Sequence, residues 1–531
     1  MKSFLRNMFA VFVSVLMMIG MGVTAFADDT TYTITINNTA SGHTYEAYQV
    51  FSGTLDETGT VLSNIQWGTG VDSAALLTAL QSDKTTTLDF SACTDAASVA
   101  KVLSDNNTNA DAAKAFAQLV GQHLATNKKS STEKAGPYTI TGLAAGYYLV
   151  KDKDSTQKDV DDSYTSFILK VAGNVSADPK GTIPTVEKKV QENVKYTDND
   201  GYGAGYNDVA DYNIGDAVPF ELIGTLPENY ADYTTYNYVF HDTASAGLTI
   251  DKDSVKVYAG TTDITTSFTA VLDGQKLTVS CANLKAISSL TLTASSKIVV
   301  KYNATLNSSA VIGLDGNPNE VYLTYSNNPN QGGSGDTGKT PTDKVIVFTY
   351  ELDTTKVDAS DAKKKLAGAE FELYKTVGTT TTYETVADGK VTGWTADETK
   401  ATQLTSDAEG LFKVAGLDDG TYYLKETTAP TGYNKLIKDV KLVIAATTTN
   451  GQNWTTGTAS TALTALSISI DDGTATNGDT ATGVVNATVA DNKGATLPST
   501  GGIGTTIFYV IGGAMVIAAG VLLVARKRSE N

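Results

Sequence analysis

The chain has 531 residues, a formal charge of −18, two cysteines and three histidines. Lys2, Arg6 and the tail of Arg526, Lys527, Arg528 and Glu530 together contribute +4, which leaves about −22 for everything between them; so acidic a body speaks against nucleic acid or anionic lipid as partner and for a soluble, mutually repelling surface. His43, His123 and His241 are scattered without H-E-x-x-H or Cys/His ligand spacing, and no G-x-x-x-x-G-K phosphate cradle occurs, so no metal, cofactor or conventional catalytic centre is expected.

At the start of the chain, Lys2 and Arg6 precede an apolar stretch over 8–23, and Ala25-Phe26-Ala27 has the small-x-small pattern of a signal-peptidase site. Residues 1–27 read as a signal peptide, with Asp28 as the first mature residue. Cys93 and Cys281 fall in different proposed domains and are expected to be separate buried thiols. A secreted protein is usually stiffened by disulfides, so another covalent device is worth seeking here.

Short alternating runs such as Tyr32-Thr33-Ile34-Thr35-Ile36 and Ser166-Phe167-Ile168-Leu169-Lys170, separated by Gly, Asn and Asp turns, predict antiparallel β-sandwiches. The exception is 72–127, where Ala113, Phe116, Leu119, Val120 and Leu124 recur at helical spacing and predict one or two inserted helices. Two boundaries are visible. Pro179 and Pro184 bracket a short extended connection, and Asn-Asn-Pro-Asn-Gln-Gly-Gly-Ser-Gly has linker composition. The expected domains are 28–178, 181–330 and 342–494, with 331–341 as linker.

The second and third domains place charged residues on apolar faces. Lys188 shares its parity with Val186 and Val190, whereas Lys189 points away; Asp242 aligns with Tyr238 and Phe240, and Asn319 with Val321, Leu323 and Tyr325. In the third domain Lys356 shares parity with Ile346, Phe348, Tyr350 and Leu352 on one continuous strand, and Glu426 with Tyr422 and Leu424. Burial pushes a carboxyl toward its protonated form and a lysine toward its neutral, nucleophilic form. Such a pair can attack a side-chain amide.

Near the C-terminus, Leu497-Pro498-Ser499-Thr500-Gly501 precedes an apolar stretch over 503–525 and the basic cluster Arg526-Lys527-Arg528. The stretch is long enough to cross a bilayer core, and the basic residues hold the tail on the cytoplasmic side. Residues 497–531 resemble the cell-wall sorting signal of Gram-positive surface proteins, which a sortase cuts between Thr and Gly. The run from Gly420 to Tyr433, with Leu366-Ala-Gly-Ala-Glu-Phe-Glu-Leu-Tyr374, resembles the E-box and opening pattern of the collagen-adhesin B-type domain of sortase-assembled pilins. His241-Asp242-Thr243 ahead of Gly247-Leu248, and Tyr325-Ser326-Asn327-Asn328-Pro329, resemble the A-type domain.

The resemblance covers the whole chain and implies an all-β protein: three tandem immunoglobulin-like β-sandwich domains, a helical insertion in the first and a C-terminal transmembrane helix. It implies isopeptide bonds from Lys188 to Asn319, with Asp242 as catalytic acid, and from Lys356 to Asn492, with Glu426 in that role. Alternation places Asp491 rather than Asn492 on the inner face, so Asp491 stays as an alternative acceptor; closure on Asn expels ammonia and closure on Asp expels water. The first domain has a diminished E-box, Gly146 to Asp152 with Asp at the Glu position, and its first strand has no lysine, so no cross-link is expected there.

Lys180, after Pro179, matches the junction lysine of backbone pilins that attacks the sortase-bound Thr500 of the next subunit. The implied function is a structural subunit of a covalent surface pilus, secreted and wall-anchored. Its partners are other copies of itself, a pilus-specific and a housekeeping sortase, peptidoglycan, and a host or neighbouring-cell ligand that the sequence does not specify. Bond formation is single-turnover maturation, so the protein is not read as an enzyme. The rival reading is a wall-anchored monomeric adhesin or ancillary pilin, which would not need Lys180.

Overall fold

In the computed structural model, residues 30–84, 87–179, 181–193, 205–449, 458–494 and 503–529 are described. The signal peptide, Lys180 and the motif Leu497 to Gly501 lie outside them.

Alternation of apolar and polar residues sets the architecture. In Lys297–Leu306, for example, Ile298, Val300, Tyr302, Ala304 and Leu306 are buried while Lys297, Lys301, Asn303 and Thr305 are exposed, the pattern of a strand with one face on a core. The N-terminal unit packs a sheet of Tyr138–Leu143, Tyr32–Ile36 and Val175–Ala177 against a sheet of Leu62–Trp67, Tyr45–Leu55, Gly146–Asp152 and Ser166–Val171, with Lys129–Ser130 added to its second strand. Between the sheets lie Ile34, Ile36, Tyr45, Tyr138, Ile140 and Val171.

Among its described residues the insertion holds three helices, Ser73–Ser82, Ala96–Asp105 and Ala110–Gly121, where the spacing suggested one or two. Each has its own start signal: the side chains of Asp72, Asp95 and Asn109 accept from the backbone N–H groups of Ala75, Ser98 and Ala112. The third helix buries Ala112, Phe116 and Val120, but Leu124 falls beyond it, in an isolated bridge to Val71.

The second unit is a sandwich. One sheet runs Tyr206–Asn207, Val186–Gln191, Ala217–Thr225, Lys297–Leu306, Leu248–Ala259, Thr262–Asp263. The other runs Val209–Asp211, Asp343–Phe348, Asn317–Ser326, Tyr238–Ala244, Lys276–Cys281, Thr269–Asp273, with Thr337–Lys339 on the edge of Asn317–Ser326.

Two sequence expectations change here. The stretch 331–341 is not a free linker. Gly332 and Gly333, at φ of 65° and 93°, turn the chain back so that Thr337–Lys339 pairs with Asn317–Ser326, and its far side contacts the first unit through Asp159 N–H to Thr337 O at 2.8 Å. Nor is 346–356 one strand. Asp343–Phe348 belongs to the second unit, and the chain breaks at Thr349 before Tyr350–Asp358 opens the third. Residues 345–350 are all buried, so alternation there could not reveal the change of sheet.

In the third unit the strands follow one hydrogen-bonded path from Asp361–Lys365 through Tyr350–Asp358 to Thr476–Asn477, and the last strand, Val484–Asp491, lies parallel to Tyr350–Asp358. One apolar core continues through the second and third units. Cys93 and Cys281 are buried and unpaired. The terminal helix Ile503–Ser529 contains a 22-residue candidate span, Ile507–Arg528, apolar up to its basic end and long enough to cross a membrane.

Candidate cross-linking sites

Pairing of Val186–Gln191 with Ala217–Thr225 sets Lys188 opposite Leu222 and Val190 opposite Phe220. On the facing sheet, Asp242 is opposite Val321 and Ala244 opposite Asn319, so the carboxyl and the amide are diagonal neighbours on one inner face. Lys188, Asp242 and Asn319 are all buried, with at most 1 % of their surface exposed. The Lys188 Nζ donates to the Asp242 carboxylate and, at 3.0 Å, to the Tyr302 hydroxyl. That hydroxyl donates to Asp242 Oδ1 at 2.9 Å and accepts from Asn319 Nδ2 at 2.8 Å.

Tyr302 therefore bridges all three groups, and the rings of Phe220 and Tyr302 stand 5.2 and 5.4 Å from the lysine nitrogen. Burial lowers the Lys188 pKa against the pull of Asp242, and burial raises that of Asp242 against the pull of Lys188. Tyr302 was not singled out from the sequence, although the alternation of its strand points the hydroxyl inward. Lys189, expected to point outward, is buried too, with Nζ 2.6 Å from Asp208 Oδ1. The chain after Tyr206–Asn207 passes from Val190 and Gln191 to the other sheet and carries Asp208 across this edge.

In the third unit the parallel register sets Lys356 opposite Val489 and Asp358 opposite Asp491. Asp491 thus sits one diagonal step from Lys356 on the same face. Lys356 Nζ lies 2.5 Å from Asp491 Oδ1 and 2.9 Å from Glu426 Oε1, with all three side chains buried. The backbone N–H of Leu436 donates to Glu426 Oε2 at 2.7 Å, and the Phe371 ring stands 5.1 Å from the lysine nitrogen. Burial raises the Asp491 pKa, opposed by Lys356. Asn492, the acceptor implied by resemblance, is exposed, and its backbone carbonyl accepts from Asn434 N–H at 2.9 Å. The last strand ends at Asp491, so Asn492 has the outward parity and does not meet Lys356.

In the first unit, Asp152 occupies the position corresponding to Glu426 but faces a histidine. Its Oδ1 lies 2.7 Å from His43 Nδ1, its Oδ2 accepts from Thr165 N–H at 2.7 Å, and Asp162 Oδ2 lies 3.0 Å from His43 Nε2. Burial alone would lower the His43 pKa; the two aspartates outweigh it and hold it at about 9. His43 carried no motif and was legible only as one of three scattered histidines.

Three family models match the chain. Residues 350–458 match a prealbumin-like fold domain, 214–329 match the Gram-positive pilin backbone subunit 2, Cna-B-like domain, and 490–531 match the LPXTG cell wall anchor motif. The match over 214–329 is described as Cna-B-like, whereas the motifs of that stretch resemble the A-type. Over 97 % of this chain and 99 % of the relative, the sequence is 24 % identical to the trypsin-resistant surface T6 protein of Streptococcus pyogenes serotype M6. The solved T6 backbone pilin of serotype M6 Streptococcus pyogenes, described as a modular three-domain structure, superposes with a TM-score of 0.51 at 17 % identity, covering 89 % of this chain and all of the other. With a relative aligned along nearly its whole length, this chain carries the backbone-pilin domain and wall anchor of sortase-assembled Gram-positive pilins and is a structural subunit of a wall-anchored surface pilus.

Proposed function

We propose that the mature chain is cross-linked twice within itself, Lys188 to Asn319 and Lys356 to Asp491, and once to its neighbour, Thr500 to Lys180. The observation that carries the internal bonds is the complete burial of Lys188 and Lys356, each 0 % exposed, with Lys188 joined to Asn319 through the Tyr302 hydroxyl and Lys356 2.5 Å from Asp491. A buried ammonium is costly even when paired. Conversion to an amide removes the charge altogether.

At the first site the neutral Lys188 amine attacks Asn319 Cγ; the new C–N bond forms, the amide C–N bond breaks, and ammonia leaves. Protonated Asp242 polarises the carbonyl and passes a proton to the departing nitrogen, with Tyr302 holding lysine and amide together. At the second site Lys356 attacks Asp491 Cγ in its acid form, and water leaves. Glu426 relays the proton.

Between subunits, a pilus sortase cleaves the Thr500–Gly501 bond, holds Thr500 as a thioester and transfers it to the Lys180 amine. A housekeeping sortase joins the base of the filament to peptidoglycan. Tension in such a filament runs from Lys180 through the second and third units to Thr500. The Lys356–Asp491 bond spans 135 residues of sequence and carries the load past them. The first unit lies ahead of Lys180 and outside this path, so it needs no internal bond.

Intact mass of residues 28–500 tests the internal bonds. The expected deficit is one ammonia and one water. Lys188→Ala restores the ammonia, Lys356→Ala restores the water, and an undiminished wild-type mass would overturn both bonds.

A further inference from the structure

The junction of the second and third units holds buried carboxylates that the cross-linking chemistry does not use. Asp211 ends the strand Val209–Asp211, while Asp418 and Asp419 form the turn between Leu411–Leu417 and Gly420–Thr428. One carboxylate oxygen from each lies within 4.8 Å of the others, and the three residues are 4, 3 and 8 % exposed. Oxygens at about 2.4 Å from one Ca²⁺ stand at most about 5 Å apart, so the spacing fits a shared ion. The charged neighbours that act most strongly on Asp211 are Asp418, Glu192 and Asp419, all acidic.

Asp418 is partly satisfied, its Oδ2 accepting from Asn193 Nδ2 at 3.0 Å and its Oδ1 from the Asp419 N–H at 2.9 Å. Asp211 Oδ2 accepts no well-aligned hydrogen bond among the described residues. A separate element points to the same place. Tyr350, first residue of the strand that opens the third unit and paired with Leu417 next to Asp418, is fully buried, and among the described residues no well-aligned hydrogen bond satisfies its hydroxyl. Asp211 acts on it both by charge and at side-chain hydrogen-bonding range, and Asp418 and Asp419 act by charge, so this hydroxyl is a fourth oxygen turned to the cluster.

We propose that Asp211, Asp418 and Asp419, with the Tyr350 hydroxyl, bind a Ca²⁺ ion that fastens the second unit to the third. An all-oxygen set dominated by carboxylates suits a hard divalent cation, and the irregular turn at Asp418 and Asp419 suits the flexible geometry of calcium. The ion replaces mutual repulsion across the junction with shared ligation, so the two units behave as one body under load.

The mature chain, stripped with EDTA and titrated with CaCl₂, is followed by calorimetry and by thermal unfolding. Wild type is expected to bind one Ca²⁺ and to rise in Tm with concentration. Asp211→Asn is expected to lose at least about tenfold in affinity. Tyr350→Phe keeps the ring and weakens binding, whereas the exposed Asp253→Asn changes nothing. Absence of heat and of a Tm shift at millimolar calcium, or undiminished affinity in Asp211→Asn, would overturn the site.

Discussion

Lys356 Nζ lies 2.5 Å from Asp491 Oδ1 across the first and last strands of the third unit, which run parallel. In parallel pairing a residue and the one two positions beyond its partner share a face, so the register alone brings these two side chains together and turns Asn492 outward. Two substitutions separate the candidates. Asp491→Ala is expected to restore the mass of one water and to destabilise the third unit by about 3 kcal/mol, the cost of removing one partner from a buried charged group. Asn492→Ala is expected to leave mass and melting within about 0.5 kcal/mol of wild type. Mass spectrometry and calorimetry read both.

Tyr302 touches every group of the second unit's site, yet its ring also packs against Phe220, at 5.4 Å between centroids. Tyr302→Phe keeps the packing and removes only the hydroxyl. The expected result is a folded second unit in which the Lys188–Asn319 bond forms at least about 10²-fold more slowly, seen as a persisting ammonia mass in freshly refolded protein. Bond formation at the wild-type rate would remove Tyr302 from the mechanism.

The first unit is expected to weaken at alkaline pH. His43 gains its proton affinity from Asp152 and Asp162, so its pKa is raised from 6.5 to about 9 in the folded chain. A raised histidine contributes its full stabilisation below the unfolded value of 6.5 and loses it as pH rises through about 9. The loss is on the order of 2 kcal/mol between pH 6 and 10 after allowance for solvent screening. Calorimetry of His43→Gln should show that this part of the pH dependence has gone.

Assembly depends on a residue outside the described part of the structure. In cells that express the pilus sortase, Lys180→Ala is expected to abolish the detergent-resistant ladder while leaving monomer secretion intact. A persisting ladder would move the acceptor role to another lysine.

Sequence alone determined what parity, composition and terminal motifs can carry: β-strands throughout, helices in 72–127, an anchor after residue 500, and inward-facing Lys188, Asp242, Asn319, Lys356 and Glu426. Each follows from short-range periodicity, because a strand turns alternate side chains to one face wherever it lies. Tertiary structure decided the pairing. That Asp491 meets Lys356 depends on a parallel register between strands far apart in sequence, and that Tyr302 joins Lys188 to Asn319 depends on two sheets closing face to face. Asp343–Phe348 was assigned to the wrong unit because a run buried on both faces has no alternation to read. The carboxylates at Asp211, Asp418 and Asp419 belong to different units and converge only when those units pack, so no local pattern could have announced them.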